Sequence, residues 1–148
     1  MENNNIYTPE SIIVNNLISY LKSIGYNEIY TEAQFIEKFV DVFAYSKEKD
    51  CFIAIEAKVK SPSRAFDQAK KYLHFADYVF VATFKNSTNK KAKELSKNSG
   101  IGLILIEKDE KDCFHPHIET DSMKSQYIKR DISNMIMSNL KQSRNYNE

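Results

Sequence analysis

Apolar residues recur at helical spacing through Ile13, Leu17, Tyr20, Leu21 and Ile24, which predicts an amphipathic helix with one face turned to a core. Thr8 supplies its N-cap, Pro9 the first helical position, Glu10 an acid in the first turn, and Gly25 a left-handed stop. The pattern then changes to short runs rich in β-branched and aromatic residues, at Glu28 to Ala33, Phe39 to Tyr45 and Cys51 to Val59, and these predict strands. Lys47 to Asp50 is polar enough to be a hairpin loop between the last two. A second helix starts at Ser61-Pro62-Ser63 and runs to about Phe75 with a small-residue face at Ala65, Ala69 and Ala76. Tyr78 to Thr83 and Gly102 to Glu107 are nearly continuous apolar runs of strand length, as expected of parallel strands buried on both faces. The helix between them reads from a Ser87 cap to about Asn98, closed by Gly100. An edge strand at Cys113 to Ile118, interrupted by Pro116, and a C-terminal helix at Ile128 to Leu140 complete the chain.

The fold class expected from this order is α/β, a mixed β-sheet flanked by helices, since a hairpin feeds a strand–helix–strand crossover. No repeat, low-complexity run or Gly/Ser linker divides the chain, so residues 1–148 read as one domain. The 21 basic and 20 acidic residues nearly cancel, which excludes a uniformly basic nucleic-acid coat and an acidic tail protein but permits a local patch. Two distant cysteines and no basic-then-apolar start predict a cytoplasmic protein, and no apolar run reaches the roughly 20 residues of a membrane helix.

The hairpin register carries the chemistry. If Ser46 opposes Cys51 across the four-residue loop, Asp41 stands opposite Glu56, with β-carbons about 4.5–5.5 Å apart. Two like charges there repel unless a cation lies between them, and strand alternation adds Lys58 on the side of Glu56. The flanking residues, from Phe39 to Phe43 and Ile53 to Ala57, are otherwise almost wholly apolar, and charge seldom enters such a run unpaired. Mg²⁺ or Mn²⁺ suits one or two carboxylates, retains waters and collects phosphate oxygens, so the group points to phosphodiester hydrolysis. Lys58 would then position water or stabilise charge developing on the phosphate.

Asp41 followed by Glu56-Ala57-Lys58 resembles the PD-(D/E)XK nuclease superfamily with its restriction-endonuclease-like fold, whose core order is αβββαβ. Gln68-Ala69-Lys70-Lys71-Tyr72 resembles the Q-x-x-x-Y of the superfamily's RecB-like branch, and the i, i+4 spacing places Gln68 and Tyr72 on one helix face. Val40 stands where the proline of the family name would be, a departure common among relatives. The resemblance implies a metal held by Asp41, Glu56 and the Ala57 carbonyl, with Lys58 catalytic, Gln68 and Tyr72 contributing to the site, and Glu10 an additional acid. It also implies DNA as partner, in repair, recombination, mobile-element biology or defence. Members this short act as dimers or rely on a targeting partner protein. A catalytically silent nucleic-acid-binding or protein-interaction domain on the same fold is the rival reading.

Lys60, Arg64 and Lys71 gather near the acids and are the expected contacts to the DNA backbone. Lys85, Lys90, Lys91, Lys93 and Lys97 read as a solvated face, with a second phosphate-binding group as the alternative, and Glu32 as an exposed edge carboxylate, with approach to the same cleft as the alternative. Cys113-x-His115-x-His117 has the residue types of a zinc site but no fourth ligand, and is expected to hold none.

Overall fold

The structure is a computed structural model that describes residues 8–35 and 38–147. Helix α1 (Pro9–Ser23) begins as its sequence dictates: the Thr8 hydroxyl accepts the Ser11 amide at 3.2 Å, and Gly25 follows the last turn at φ +101°. Ile13, Leu17 and Leu21, spaced to share one face, are fully buried against the sheet.

The sheet has six strands in chain order: β1 (Glu28–Phe35), β2 (Lys38–Ser46), β3 (Cys51–Ala57), β4 (Tyr78–Phe84), β5 (Gly102–Lys108) and β6 (Phe114–Thr120). The first three run antiparallel, β3, β4 and β5 run parallel, and β6 returns antiparallel. Each parallel step needs a crossover. The first is α2 (Ser63–Ala69) continued by a tighter 3₁₀ segment (Lys70–His74), and the second is α3 (Lys90–Ser99). Helix α4 (Arg130–Asn147) closes the chain. One core layer lies under α1, with Val42, Ile55, Phe80 and Ile104. The other joins Phe43, Phe52, Val79 and Leu103 to Phe66, Tyr72, Ala92 and Ile136 from the opposite helices. This is the mixed sheet flanked by helices that the sequence predicts.

Several boundaries differ for physical reasons. Strand β3 stops at Ala57 rather than Val59: the Lys58 amide to the Ala82 carbonyl is its last ladder bond to β4, and Ser61 at φ +54° turns the chain away. Strand β1 runs on to Phe35. The second helix tightens after Ala69, and the cap of α3 is Asn89, whose side chain accepts the Ala92 amide at 2.8 Å, rather than Ser87. Pro116 sits inside β6 opposite Ile106; an edge strand has a ladder on one side only and tolerates the missing donor. The C-terminal helix begins at Arg130, two residues later than expected.

A buried charge fastens the hairpin end of the sheet. Asp77, fully buried, accepts the Phe52 amide at 2.8 Å and Arg130 at 3.2 Å, while the guanidinium also donates to the Asp50 carbonyl and lies 5.7 Å from the Phe52 ring centre. One carboxylate thus ties β3 to the start of β4 and to α4. Replacing Asp77 with Ala leaves a buried amide without an acceptor and Arg130 without its anion, and should cost about 3 kcal/mol in urea unfolding. A loss under about 1 kcal/mol would show that this clamp is dispensable.

Candidate active site

The register expected from the sequence holds from Ser46↔Cys51 to Val42↔Ile55, and there the β2–β3 ladder stops. Asp41 lies one step beyond it. The Lys58 amide points to β4, so the Ala57 amide points the other way, toward β2. There the Asp41 carboxylate accepts it at 2.9 Å, in place of a main-chain carbonyl. The two strands part at this point, and the gap brings the Asp41 and Glu56 side chains together without a rung between them.

The neighbouring ladder is interrupted at the same place. Thr31↔Val42 and Ala33↔Val40 pair, but the intervening rung of Glu32 and Asp41 is missing, and Glu32 adopts φ +50°. Tyr30 and Ala33 consequently share one core layer, as do Phe43 and Val40, although strict alternation would separate each pair. A left-handed backbone at a non-glycine residue is sparsely populated and is sustained here by the β1–β2 pairs before and after it. The irregularity opens a cleft of about 220 Å³ in which Asp41, Glu32 and the first-turn residue Glu10 stand together. Glu32 is exposed as expected, but it belongs to this cleft and not to a plain strand edge.

Glu56 sits mid-sheet, between β2 and β4 in the row of Val81, and is 8% exposed. The Tyr72 hydroxyl donates to its Oε1 at 2.6 Å, and Gln68 Nε2 reaches the Tyr72 oxygen at 3.5 Å. The expected pair therefore forms a relay that ends on the acid. Tyr72 lies within the 3₁₀ segment with its ring centre 5.6 Å from that of Phe75, so one residue serves both as core aromatic and as hydrogen-bond donor.

Burial pushes the Glu56 carboxyl from its ordinary 4.5 to about 7; the Tyr72 hydrogen bond opposes this, and the Asp41 charge adds to it. Asp41 is also raised, first by burial, with the Ala57 amide opposing and Glu10 reinforcing. The contact between the two carboxyls adds to the rise of Glu56 and opposes that of Asp41. Burial, and then the carboxylate it donates to, holds the Tyr72 phenol above its usual range. Lys58 is exposed beside Glu56 and favours its ionised form.

The other expected residues fall into two groups. Glu10 joins the Asp41 cleft, and Ala57 contributes through its amide contact with Asp41. Lys60, Arg64 and Lys71 are exposed on the segment from the end of β3 to the 3₁₀ turn. Among the described residues no three His, Cys, Asp or Glu side chains are grouped to hold a metal ion, so any cation here would rest on the Asp41–Glu56 pair with further oxygen donors. Cys113, His115 and His117 do not assemble a zinc site: His115 pairs with Asp109 at 2.6 Å and His117 with Glu119 at 3.7 Å. Lys85 is not on a helix face but on a short 3₁₀ turn (Lys85–Ser87), paired with Glu107 at 2.9 Å.

Two outcomes test this electrostatic account. Between about pH 4.5 and 7 folded Glu56 keeps a proton that the unfolded chain has lost, so its contribution to stability falls as pH rises through that window. In chelator, the stability of E56Q relative to the natural chain should therefore increase by about 3 kcal/mol from acid to mildly alkaline pH, read by urea unfolding. Parallel pH curves would contradict the raised value. In Y72F the lost donor should move the Glu56 titration further up, visible in ¹³C carboxyl spectra; a downward shift would reverse the assigned role.

No helix among the described residues is long and apolar enough to cross a membrane. No family model matches the sequence, and no curated protein matches it. Solved structures do match. A protein of unknown function from Silicibacter pomeroyi, SPO1766, superposes with a TM-score of 0.71 at 17% identity, over 94% of this chain and 89% of that one. A repair endonuclease from Pyrococcus abyssi gives a TM-score of 0.52 at 22% identity over 72% of this chain, which spans 50% of the endonuclease. The six-stranded mixed sheet with its flanking helices is a restriction-endonuclease-like fold.

Proposed function

We propose that this chain is a divalent-metal-dependent DNA nuclease of the PD-(D/E)XK type, with the RecB-like Q-x-x-x-Y on its α2 crossover. The observation that carries the reading is the convergence of Asp41, Glu56 and Tyr72 where β2 and β3 separate. A sheet that breaks its ladder to bury two carboxyls against each other loses stability unless that arrangement is used. The shared fold of a repair endonuclease supports the same direction, as fold-level analogy.

The donor set fits a hard cation. Asp41 and Glu56 offer oxygen ligands only, and at neutral pH the pair carries more negative charge than one tyrosine and one amide balance. Asp41, Glu56 and the Ala57 carbonyl would hold Mg²⁺ or Mn²⁺, with Glu10 nearby. Such an ion, when bound, acidifies a coordinated water and offsets charge on the phosphate. The protein's own residues do the rest. Tyr72, steadied by Gln68, fixes the orientation of the Glu56 carboxylate, and the Ala57 amide fixes that of Asp41. The Lys58 ammonium donates to the scissile phosphate and stabilises the charge that develops there. Lys60, Arg64 and Lys71 take the neighbouring phosphates and set the strand's register.

Labelled linear, flapped, four-way-junction and single-stranded DNA should be cut in Mg²⁺ or Mn²⁺. Glu56→Ala and Lys58→Ala should each lower the rate by at least about 100-fold. Mn²⁺ should also raise the melting temperature, and Asp41→Asn should remove that rise. No cleavage of any form with DNA still bound would favour the silent binding domain, and cleavage undiminished in Glu56→Ala would refute the site.

A further inference from the structure

A second cleft opens at the same end of the sheet. It encloses about 740 Å³, with Ile12 and Ile106 at its base and Phe84 and Phe114 along one side, their ring centres 5.8 Å apart and tilted by 56°. The first turn of α1 forms the partition between the two clefts: Glu10 and Ser11 line the one containing Asp41, and Pro9 and Ile12 line this one. Strand register gives the same proximity. Ala57 pairs with Ala82 on β4, and Phe84, two residues further along that strand, pairs with Ile106 on β5.

The interior is aromatic and aliphatic, while the polar lining is Lys85, Asn86, Lys108 and a single acid, Glu107. Lys108 Nζ stands 5.6 Å from the Phe114 ring centre, so a cation covers that ring and a phosphate that draws the lysine away uncovers it. Both lysines are held by exposed acids, Glu107 at 2.9 Å and Asp112 at 3.5 Å, and exposed pairs of this kind contribute too little to keep a phosphate from drawing the lysine away. An aromatic recess inside a lysine rim, next to a phosphodiester site, is the composition that receives a nucleobase by stacking and its phosphates by charge. A base in intact duplex cannot enter it without first being unpaired and unstacked.

We infer that this cleft holds one unpaired base of the strand whose phosphate lies at Asp41 and Glu56, so the preferred substrate is DNA with an unpaired nucleotide beside the scissile bond. The inference rests on the nuclease reading above and narrows its substrate.

The test uses the full chain in Ca²⁺, which holds binding apart from cleavage, with 2-aminopurine placed at the first unpaired nucleotide of a flap or at the same position in continuous duplex. The natural chain should bind the flap about tenfold more tightly than the duplex and quench the probe in the flap. Phe114→Ala should collapse that preference and abolish the quench. Phe114→Leu preserves apolar volume without a ring and should do the same if Phe114→Ala fails to fold, while Phe114→Trp should keep both. A flap bound without quenching, or a preference that survives in the Ala and Leu variants, overturns the inference and leaves the nuclease standing. Absence of any DNA binding in Ca²⁺ together with absence of cutting in Mg²⁺ and Mn²⁺ removes the nuclease reading itself, and this inference with it.

Discussion

Two carboxyl groups placed where one charge is costly and two are worse set the terms for this fold. Burial at the fork of β2 and β3 raises both Asp41 and Glu56, and the surroundings answer their charge with neutral donors. The Ala57 amide turns to Asp41, the Tyr72 hydroxyl to Glu56, and Gln68 to Tyr72. None of these contacts neutralises the pair; each orients it. The geometry leaves charge that a proton can answer, and under the proposed reading a cation would take that place and exchange with the proton as pH changes.

The cost is distributed along the sheet. Near the fork, regularity is given up: a rung is missing between β1 and β2, Glu32 is held at positive φ, and β2 releases β3 one residue before the acids would pair. At the hairpin end the opposite holds, where Asp77, Phe52 and Arg130 bind strand, crossover and terminal helix through one buried charge. The rigid end lets the irregular end keep its shape. Parallel strands favour this division, since crossover helices cover their faces and the loops beyond their C-terminal ends remain free to carry chemistry.

Much of this was legible in the residues. The β2–β3 register followed from Ser46, Cys51 and a polar loop of fixed length, because a hairpin's geometry is local. The proposed relay through Gln68 and Tyr72 was visible as a spacing, since residues four apart on a helix are neighbours. For Glu32 the edge position and the cleft stayed open as alternatives, because a φ of +50° at a glutamate leaves no mark in composition; the pairing of β1 with β2 on either side of it decides. Asp77 and Arg130 lie 53 residues apart, and nothing in either segment announces the other.

Periodicity, caps and loop length by themselves determined that the chain would form helices and strands in this order, and that two acids would meet on adjacent strands with a lysine just past the end of one. Each of those outcomes depends on residues within about a turn or a hairpin of one another. Whether the acids would oppose across a regular ladder or across a gap was decided by tertiary structure, as were the pull of burial on Glu56 and the aromatic recess formed by α1, β4, β5 and β6. Burial, strand divergence and clefts depend on which distant segments exclude water from a point, and that is settled only when all of them are in place.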